Sequence, residues 1–123
     1  MNQEKFSIYK RLKSFVYALN GIKIVIVEEH NARIHLISAI IVVLAGFLFK
    51  ISKAEWISII FAIGFVIALE IINSAIENMA DFISPEKNEQ IKKIKDLSAG
   101  AVLIGATTAF VIGLIVFIPK LFL

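Results

Sequence analysis

The chain has 123 residues, 59% of them hydrophobic, a formal net charge of +3 and no cysteine. That length suits one domain, and a mean hydropathy of +0.85 exceeds what a soluble domain of this size can bury, so the composition points to a membrane protein. The missing cysteine excludes disulfide scaffolds and thiolate metal sites, and the modest net charge implies no nucleic-acid partner.

Residues 1–28 read as an amphipathic helix lying on a membrane surface. From Glu4 to Val27, Leu12, Phe15, Val16, Leu19, Ile22 and Ile26 share one face, and Lys10, Lys13, Ser14, Tyr17 and Gly21 the other. The opening "MNQEKFSIYKRLKSF" has neither an uninterrupted apolar core nor a small-residue cleavage site, so no cleaved signal peptide is expected. Three apolar stretches follow, over 33–50, 56–80 and 97–118. The last two reach the ~20 residues of a spanning helix, and the first does so by extending into the "EEHNAR" turn. The predicted fold is therefore all-α, a surface helix followed by three transmembrane helices. Pro85 and Pro119 mark breaks after the second and third spans.

Ten of the basic residues (Lys5, Lys10, Arg11, Lys13, Lys23, Arg33, Lys87, Lys92, Lys93, Lys95) fall before the first span or between the second and third. Only Lys50, Lys53 and Lys120 fall on the other side. This bias places the N-terminus and the 81–96 loop in the cytoplasm, with Trp56 and Tyr17 at headgroup level. The third span carries Ala101, Gly105, Ala109 and Gly113, a stripe of small residues suited to close helix contact within the bundle or an oligomer. "GAVLIGAT" echoes a phosphate-binding loop but has Ala106 where that loop needs Lys.

The most informative stretch is "LEIINSAIENMAD". Glu70, Asn73, Glu77 and Asp81 are spaced three, four and four apart, which gathers them within roughly one quarter of a helix circumference, with Ser74 beside them. A carboxylate in a membrane helix costs roughly 2.5 kcal/mol or more at the bilayer centre. Asn73 and Ser74 alone read equally well as hydrogen-bonding glue between helices, whereas Glu70 and Glu77, with no basic partner on the same span, point to function. Glu70 is the deeper, about 10 Å along the helix from Glu77.

Two further polar clusters belong to the same membrane surface. One is "EEHNARIH", with Glu29, Asn31, Arg33 and His35; the other is "KKIKDLSAG", with Lys95 and Asp96. Each alone reads as an interfacial anchor, and the five-residue spacing of His30 and His35 is a poor match to a histidine metal site. Convergence of Glu29 and Glu77 would make an oxygen site suited to Mg²⁺. Lys95 could then neutralise a phosphate, and Glu70 could accept a proton from a lipid-borne hydroxyl.

"ALEIINSAIENMADFISPE", followed by "KKIKDLSAGAVLI", resembles the prokaryotic diacylglycerol kinase family, small integral-membrane lipid kinases that include diacylglycerol and undecaprenol kinases. The resemblance covers nearly the whole chain. It implies transfer of the γ-phosphoryl group of MgATP to a membrane lipid alcohol at the cytoplasmic face of a bacterial plasma membrane, by a multi-pass homotrimer. It implies Glu70 as catalytic base, Glu29 and Glu77 as metal ligands, and a nucleotide site drawing on Lys10, Tyr17, Glu29, Glu77, Glu86, Asn88, Lys95 and Asp96. Lipid-side positions would fall on Arg11, Asn31, Arg33, Trp56, Glu70, Asn73 and Ala99. Lys10 and Arg11 compete for the family's early basic position, and Asn88 departs from the commoner His. "EHNARIHL" and "KDLSAGAVL" look closer to the undecaprenol branch, with diacylglycerol kept open as acceptor. Two other readings stand beside the kinase: a small proton-coupled transporter using the intramembrane Glu residues, and a noncatalytic assembly subunit.

Overall fold

A computed structural model describes residues 5–122. It is all-helical among those residues: α1 (Ile8–Glu28), α2 (His30–Leu48), α3 (Lys53–Ile83) and α4 (Glu89–Phe122). The last three are each long and apolar enough to cross a membrane. At 1.5 Å per residue, α2 is about 28 Å long, close to the hydrocarbon thickness, whereas α4 reaches about 51 Å and must project beyond it.

α1 begins later than the periodicity implies. Ser7 is its N-cap, in extended conformation, and its hydroxyl accepts from the Lys10 amide at 3.4 Å; the expected helical stretch before Lys5 lies outside the described residues. Leu12, Phe15 and Leu19 are all exposed, and only Val25 of α1 is buried. The apolar face of α1 is thus left for the bilayer, as expected of a surface helix.

One residue separates α1 from α2. Glu29 is extended (φ −104°, ψ 115°), ends one helix and starts the next, and makes no side-chain cap to either. Its backbone is satisfied nonetheless: its amide donates to Val25 O at 2.9 Å and its carbonyl accepts from the Arg33 amide at 3.3 Å. The junction therefore releases the Glu29 carboxylate for contacts elsewhere.

α2 closes in a Schellman motif. The Lys50 amide donates to Phe47 O at 3.3 Å and the Ile51 amide to Gly46 O at 3.2 Å, with Lys50 at φ 51°, the left-handed residue such a cap requires. A Cβ on Gly46 would stand 2.6 Å from the Trp56 ring, so glycine lets the indole lie against α2. Ser52 then starts α3 with a reciprocal capping box to Glu55, which satisfies two orphan amides. Ile51, Ile59 and Val116 form the buried cluster at this end, with Val42, Phe49, Trp56, Ile63, Ile112 and Phe117 packed on it. Lys120 Nζ reaches Glu55 Oε1 at 3.1 Å across its edge.

α3 is the hub, packing on α4 most extensively and on α2 and α1 as well. Its buried positions Ile59, Ala62, Val66, Glu70 and Ser74 follow a 3, 4, 4, 4 spacing, one helical face. Outward-facing Phe61, Ile104 and Phe110 are exposed, the arrangement a bilayer stabilises and water would not.

Pro119 does not end α4, which continues to Phe122. A proline so near the terminus removes a single backbone donor, and only one turn remains to be disturbed. Pro85 does fall in the break, among the five residues joining α3 to α4. The small-residue stripe divides. A Cβ on Gly105 would come within 2.5 Å of Leu69 Cδ1, whereas one on Gly113 would meet nothing within 4 Å. Close approach of α3 and α4 therefore occurs at Gly105 alone of these two positions.

Candidate active site

The acidic stripe of α3 runs from the buried seam outward. Glu70 is 3% exposed and Ser74 6%; Asn73 and Glu77 are half-buried and Asp81 is exposed. Glu70, Asn73 and Asp81 each meet a side chain of another helix, and Ser74 meets Glu29, so the partners absent from α3 itself come from elsewhere in the chain. The compensating residues come from α2, α4 and the α1–α2 junction.

At the junction, Ser74 Oγ donates to Glu29 Oε1 at 3.0 Å. Glu29 thereby lies against the α3 turn that carries Glu70 four residues earlier and Glu77 three residues later. Glu29 and Glu77 are both close enough to interact electrostatically with Glu70. Glu29 and the α3 carboxylates thus share one neighbourhood, drawn from two parts of the chain. Asn78 Nδ2 donates to Ser74 O at 2.8 Å and reaches Ser74 Oγ at 3.5 Å, fixing the hydroxyl from the other side.

Glu70 faces His35 of α2, whose Nε2 lies 3.1 Å from Glu70 Oε1. The contact is at hydrogen-bond distance but lacks hydrogen-bond alignment, and Oε1 is buried without a donor. A buried polar atom in that condition is costly to fold around and calls for an explanation, which a catalytic role would supply.

α4 supplies the remaining partners. Ser98 Oγ donates to Asn73 Oδ1 at 2.6 Å, and Lys95 Nζ pairs with Asp81 Oδ1 at 2.5 Å. Lys95 also lies within electrostatic reach of Glu77. Lys95 and Asp96 take different partners, Asp96 Oδ2 being held by Lys92 Nζ at 2.6 Å on its own helix. Ala99 is exposed, and its neighbour Ser98 takes the buried, bonded position.

Other expected residues are dispersed. Asn88 caps α4: its Oδ1 accepts from the Ile91 amide at 2.9 Å and its Nδ2 donates to Ser84 Oγ at 3.1 Å. Glu86 is exposed in the same loop, where its carbonyl accepts from Ser84 Oγ at 3.1 Å. Lys10, Arg11 and Tyr17 are exposed along α1, and Asn31 on the first turn of α2. Arg33 is turned to His30, with Nη2 3.1 Å from Nδ1. Trp56 is not brought to the site. It precedes Glu70 by 14 residues, roughly 21 Å along α3, and stacks at a tilt on Phe47 with centroids 4.9 Å apart.

Beside the carboxylates lies a groove of about 500 Å³ between α2, α3 and α4, walled by apolar residues such as Val42, Ile63, Ile67 and Phe110. His35 and Ser38 are its polar members. It extends from His35 down to Phe117, a length of about 16 Å on α4 between Ala106 and Phe117. Ser98 is the participant that local spacing does not reveal, and the pairing of His35 with Glu70 is likewise not legible there. The signal for both is a polar residue on the otherwise apolar, inward face of a spanning helix.

A family model described as prokaryotic diacylglycerol kinase matches residues 16–117. The chain is 40% identical to an undecaprenol kinase of Bacillus subtilis, over 89% of both chains. It is 36% identical to a diacylglycerol kinase of Helicobacter pylori over 79% of this chain and 77% of that one. It is 31% identical to a diacylglycerol kinase of a Synechocystis species over 89% of this chain and 63% of the other. With three helices able to span a membrane and an N-terminal helix before them, the chain belongs to the prokaryotic diacylglycerol kinase family and is a multi-pass membrane lipid kinase.

Proposed function

We propose that this lipid kinase transfers the γ-phosphoryl group of ATP, taken up with Mg²⁺, to the hydroxyl of a lipid alcohol at the cytoplasmic face of the membrane. Undecaprenol is the favoured acceptor and diacylglycerol the second. The observation that carries the reading is the gathering of Glu29, Glu77 and Glu70 around Ser74, one carboxylate buried and two nearer the surface.

The donors near Ser74 are all hard oxygens. Among the described residues no group of three or more His, Cys, Asp and Glu could hold a metal ion by itself, so two carboxylates and the substrate phosphates would have to share it. Such a donor set fits Mg²⁺, which commonly takes one or two carboxylates and completes its shell with water and substrate phosphates. Glu29 and Glu77 would hold it, and the ion would supply neutralisation of phosphate charge. Lys95 adds a cation at the rim, where it pairs with Asp81.

Glu70 takes the proton of the lipid hydroxyl as that oxygen bonds to the γ-phosphorus and the bond to the ADP oxygen breaks. The low exposure of Glu70 keeps competing water from the acceptor position. The apolar groove ending at His35 suits the hydrocarbon chain of the acceptor, and the basic face of α1 suits anionic headgroups. Assembly as a homotrimer accords with the groove and the open space at Gly113, surfaces a neighbouring subunit can approach. Membership of a kinase family leaves neither the transporter nor the assembly-subunit reading an observation of its own.

The test is transfer of labelled γ-phosphate from ATP to lipid by the purified protein with Mg²⁺, supplied with undecaprenol or with diacylglycerol. Label is expected in undecaprenyl phosphate faster than in phosphatidic acid. The reverse order assigns the other acceptor, and label in neither lipid ends the reading.

A further inference from the structure

His35 belongs to none of the roles assigned so far, yet it is the side chain closest to the buried carboxylate. Its Nε2 is 3.1 Å from Glu70 Oε1. Among the described residues no other side chain forms an ion pair or hydrogen bond with His35. It is 26% exposed against 3% for Glu70, and it lines the apolar groove whereas Glu70 does not. His35 thus stands between the groove and the carboxylate.

We propose that His35 is the positioning residue for Glu70 and sets which carboxylate oxygen is offered to the acceptor hydroxyl. This rests on the assignment of Glu70 as base. A Glu side chain has three rotatable bonds before its carboxylate, and Glu29 and Glu77 crowd it electrostatically without bonding to it. An imidazole has only two rotatable bonds and projects from a different helix. A ring N–H brought onto Oε1 would fix the carboxylate plane and leave Oε2 for the transferred proton. The contact is at bonding distance but not aligned, and catalytic hydrogen bonds commonly tighten only in the substrate complex.

Three substitutions separate positioning from packing. His35→Gln retains an N–H donor near the Nε2 position, His35→Asn retains one only near Nδ1, and His35→Leu retains bulk without a donor. In phosphoryl transfer to the preferred lipid, His35→Leu and His35→Asn are expected to lose about 100-fold in kcat, the effect of misplacing a reacting group by about 1 Å. KM for MgATP should stay within about twofold, and His35→Gln should recover at least tenfold over Leu. In a Glu70→Gln background, adding His35→Leu should cost nothing more.

Wild-type kcat in His35→Leu, or equal losses in the Leu and Gln variants, would overturn the proposal. Retained activity in Glu70→Gln overturns both the base assignment and the positioning role, whereas a dead Glu70→Gln with an active His35→Leu overturns the positioning role alone. A readout that needs no turnover is the ¹⁵N spectrum of the His35 ring at fixed pH. Its shifts should move on Glu70→Gln, and unchanged shifts would show that the two side chains do not interact.

Discussion

Ser74 of α3 donates its hydroxyl to Glu29 at 3.0 Å, joining the single residue between α1 and α2 to the middle of the acidic stripe. Glu29 stands at the N-cap of α2 without a side-chain capping bond. Its carboxylate is instead held against the turn bearing Glu77. A hydrogen bond to a charged group contributes roughly 1.5–3 kcal/mol, enough to favour one placement of the Glu29 carboxylate.

Ser74→Ala removes that bond without adding bulk. The Mg²⁺ concentration for half-maximal activity should rise about tenfold or more, the equivalent of roughly 1.5 kcal/mol, while helical content stays at the wild-type value. A Mg²⁺ titration on the purified variant checks it. An unchanged titration curve would mean that Glu29 needs no anchor.

Glu70 and Glu77 should fail differently. Glu70→Gln is expected to lower kcat by about 10²–10⁴-fold, the usual contribution of a general base, with ATP binding intact because Glu29 and Glu77 remain. Glu77→Gln should weaken MgATP binding and turnover together. Nucleotide binding and kcat, measured on both variants in one lipid mixture, separate the two roles. A Glu70→Gln enzyme with more than about a tenth of wild-type kcat would make Glu70 structural.

The α3 stripe could be read from sequence because spacing within one helix is a local property. Ile59, Ala62 and Val66 set a buried face, and Glu70 and Ser74 continue its period. The partners were hidden for the opposite reason. His35, Ser98 and Lys95 reach Glu70, Asn73 and Asp81 across helix–helix contacts whose register depends on Gly105 beneath Leu69 and on the Schellman turn at Lys50. Neither feature has a periodic signature. Asn88 shows a different limit: a capping residue and a ligand-binding residue share one side-chain chemistry, so the bond to the Ile91 amide could not be told from sequence.

Lys95 and Asp81 make a test of competition. Their side chains are 37% and 62% exposed, so the pair contributes about 0–1 kcal/mol to stability. Lys95→Met should raise KM for ATP, because the rim cation is lost. Asp81→Asn should leave thermal stability within a degree or two and hold or lower KM for ATP, because it frees Lys95 for phosphate. Equal increases in KM from both substitutions would assign the intact pair, rather than the lysine, to the nucleotide.

The basic residues of α1 offer a test in lipid composition. Lys10, Arg11 and Lys13 lie on an exposed helix whose apolar residues are also exposed, and each is worth about 1 kcal/mol near an anionic surface. Replacing all three with Gln should raise the apparent KM for lipid in vesicles rich in anionic headgroups and have little effect in neutral ones. Titrating the anionic fraction is the measurement, and a composition-independent defect would place these side chains in the nucleotide site instead.

The glycines make the packing claim testable without reference to catalysis. At Gly46 a new Cβ meets two atoms of the Trp56 ring, at 2.6 and 2.9 Å, and Ile51 Cδ1 at 3.2 Å. An indole buttressed by Phe47 cannot swing away as a leucine end can, so Gly46→Ala should cost 1–3 kcal/mol, the usual range for overpacking. At Gly105 the nearest atom is the tip of Leu69, at 2.5 Å, and a rotamer change relieves much of the overlap, so the loss should be smaller. Gly113→Ala meets nothing within the subunit and should leave a single chain as stable as before, or slightly more so through helix propensity. Thermal unfolding in detergent, with oligomeric state followed in parallel, ranks the three. The expected order of loss is Gly46, Gly105, Gly113. A Gly113→Ala variant that unfolds early and elutes as a smaller species would instead place that glycine in a contact between subunits.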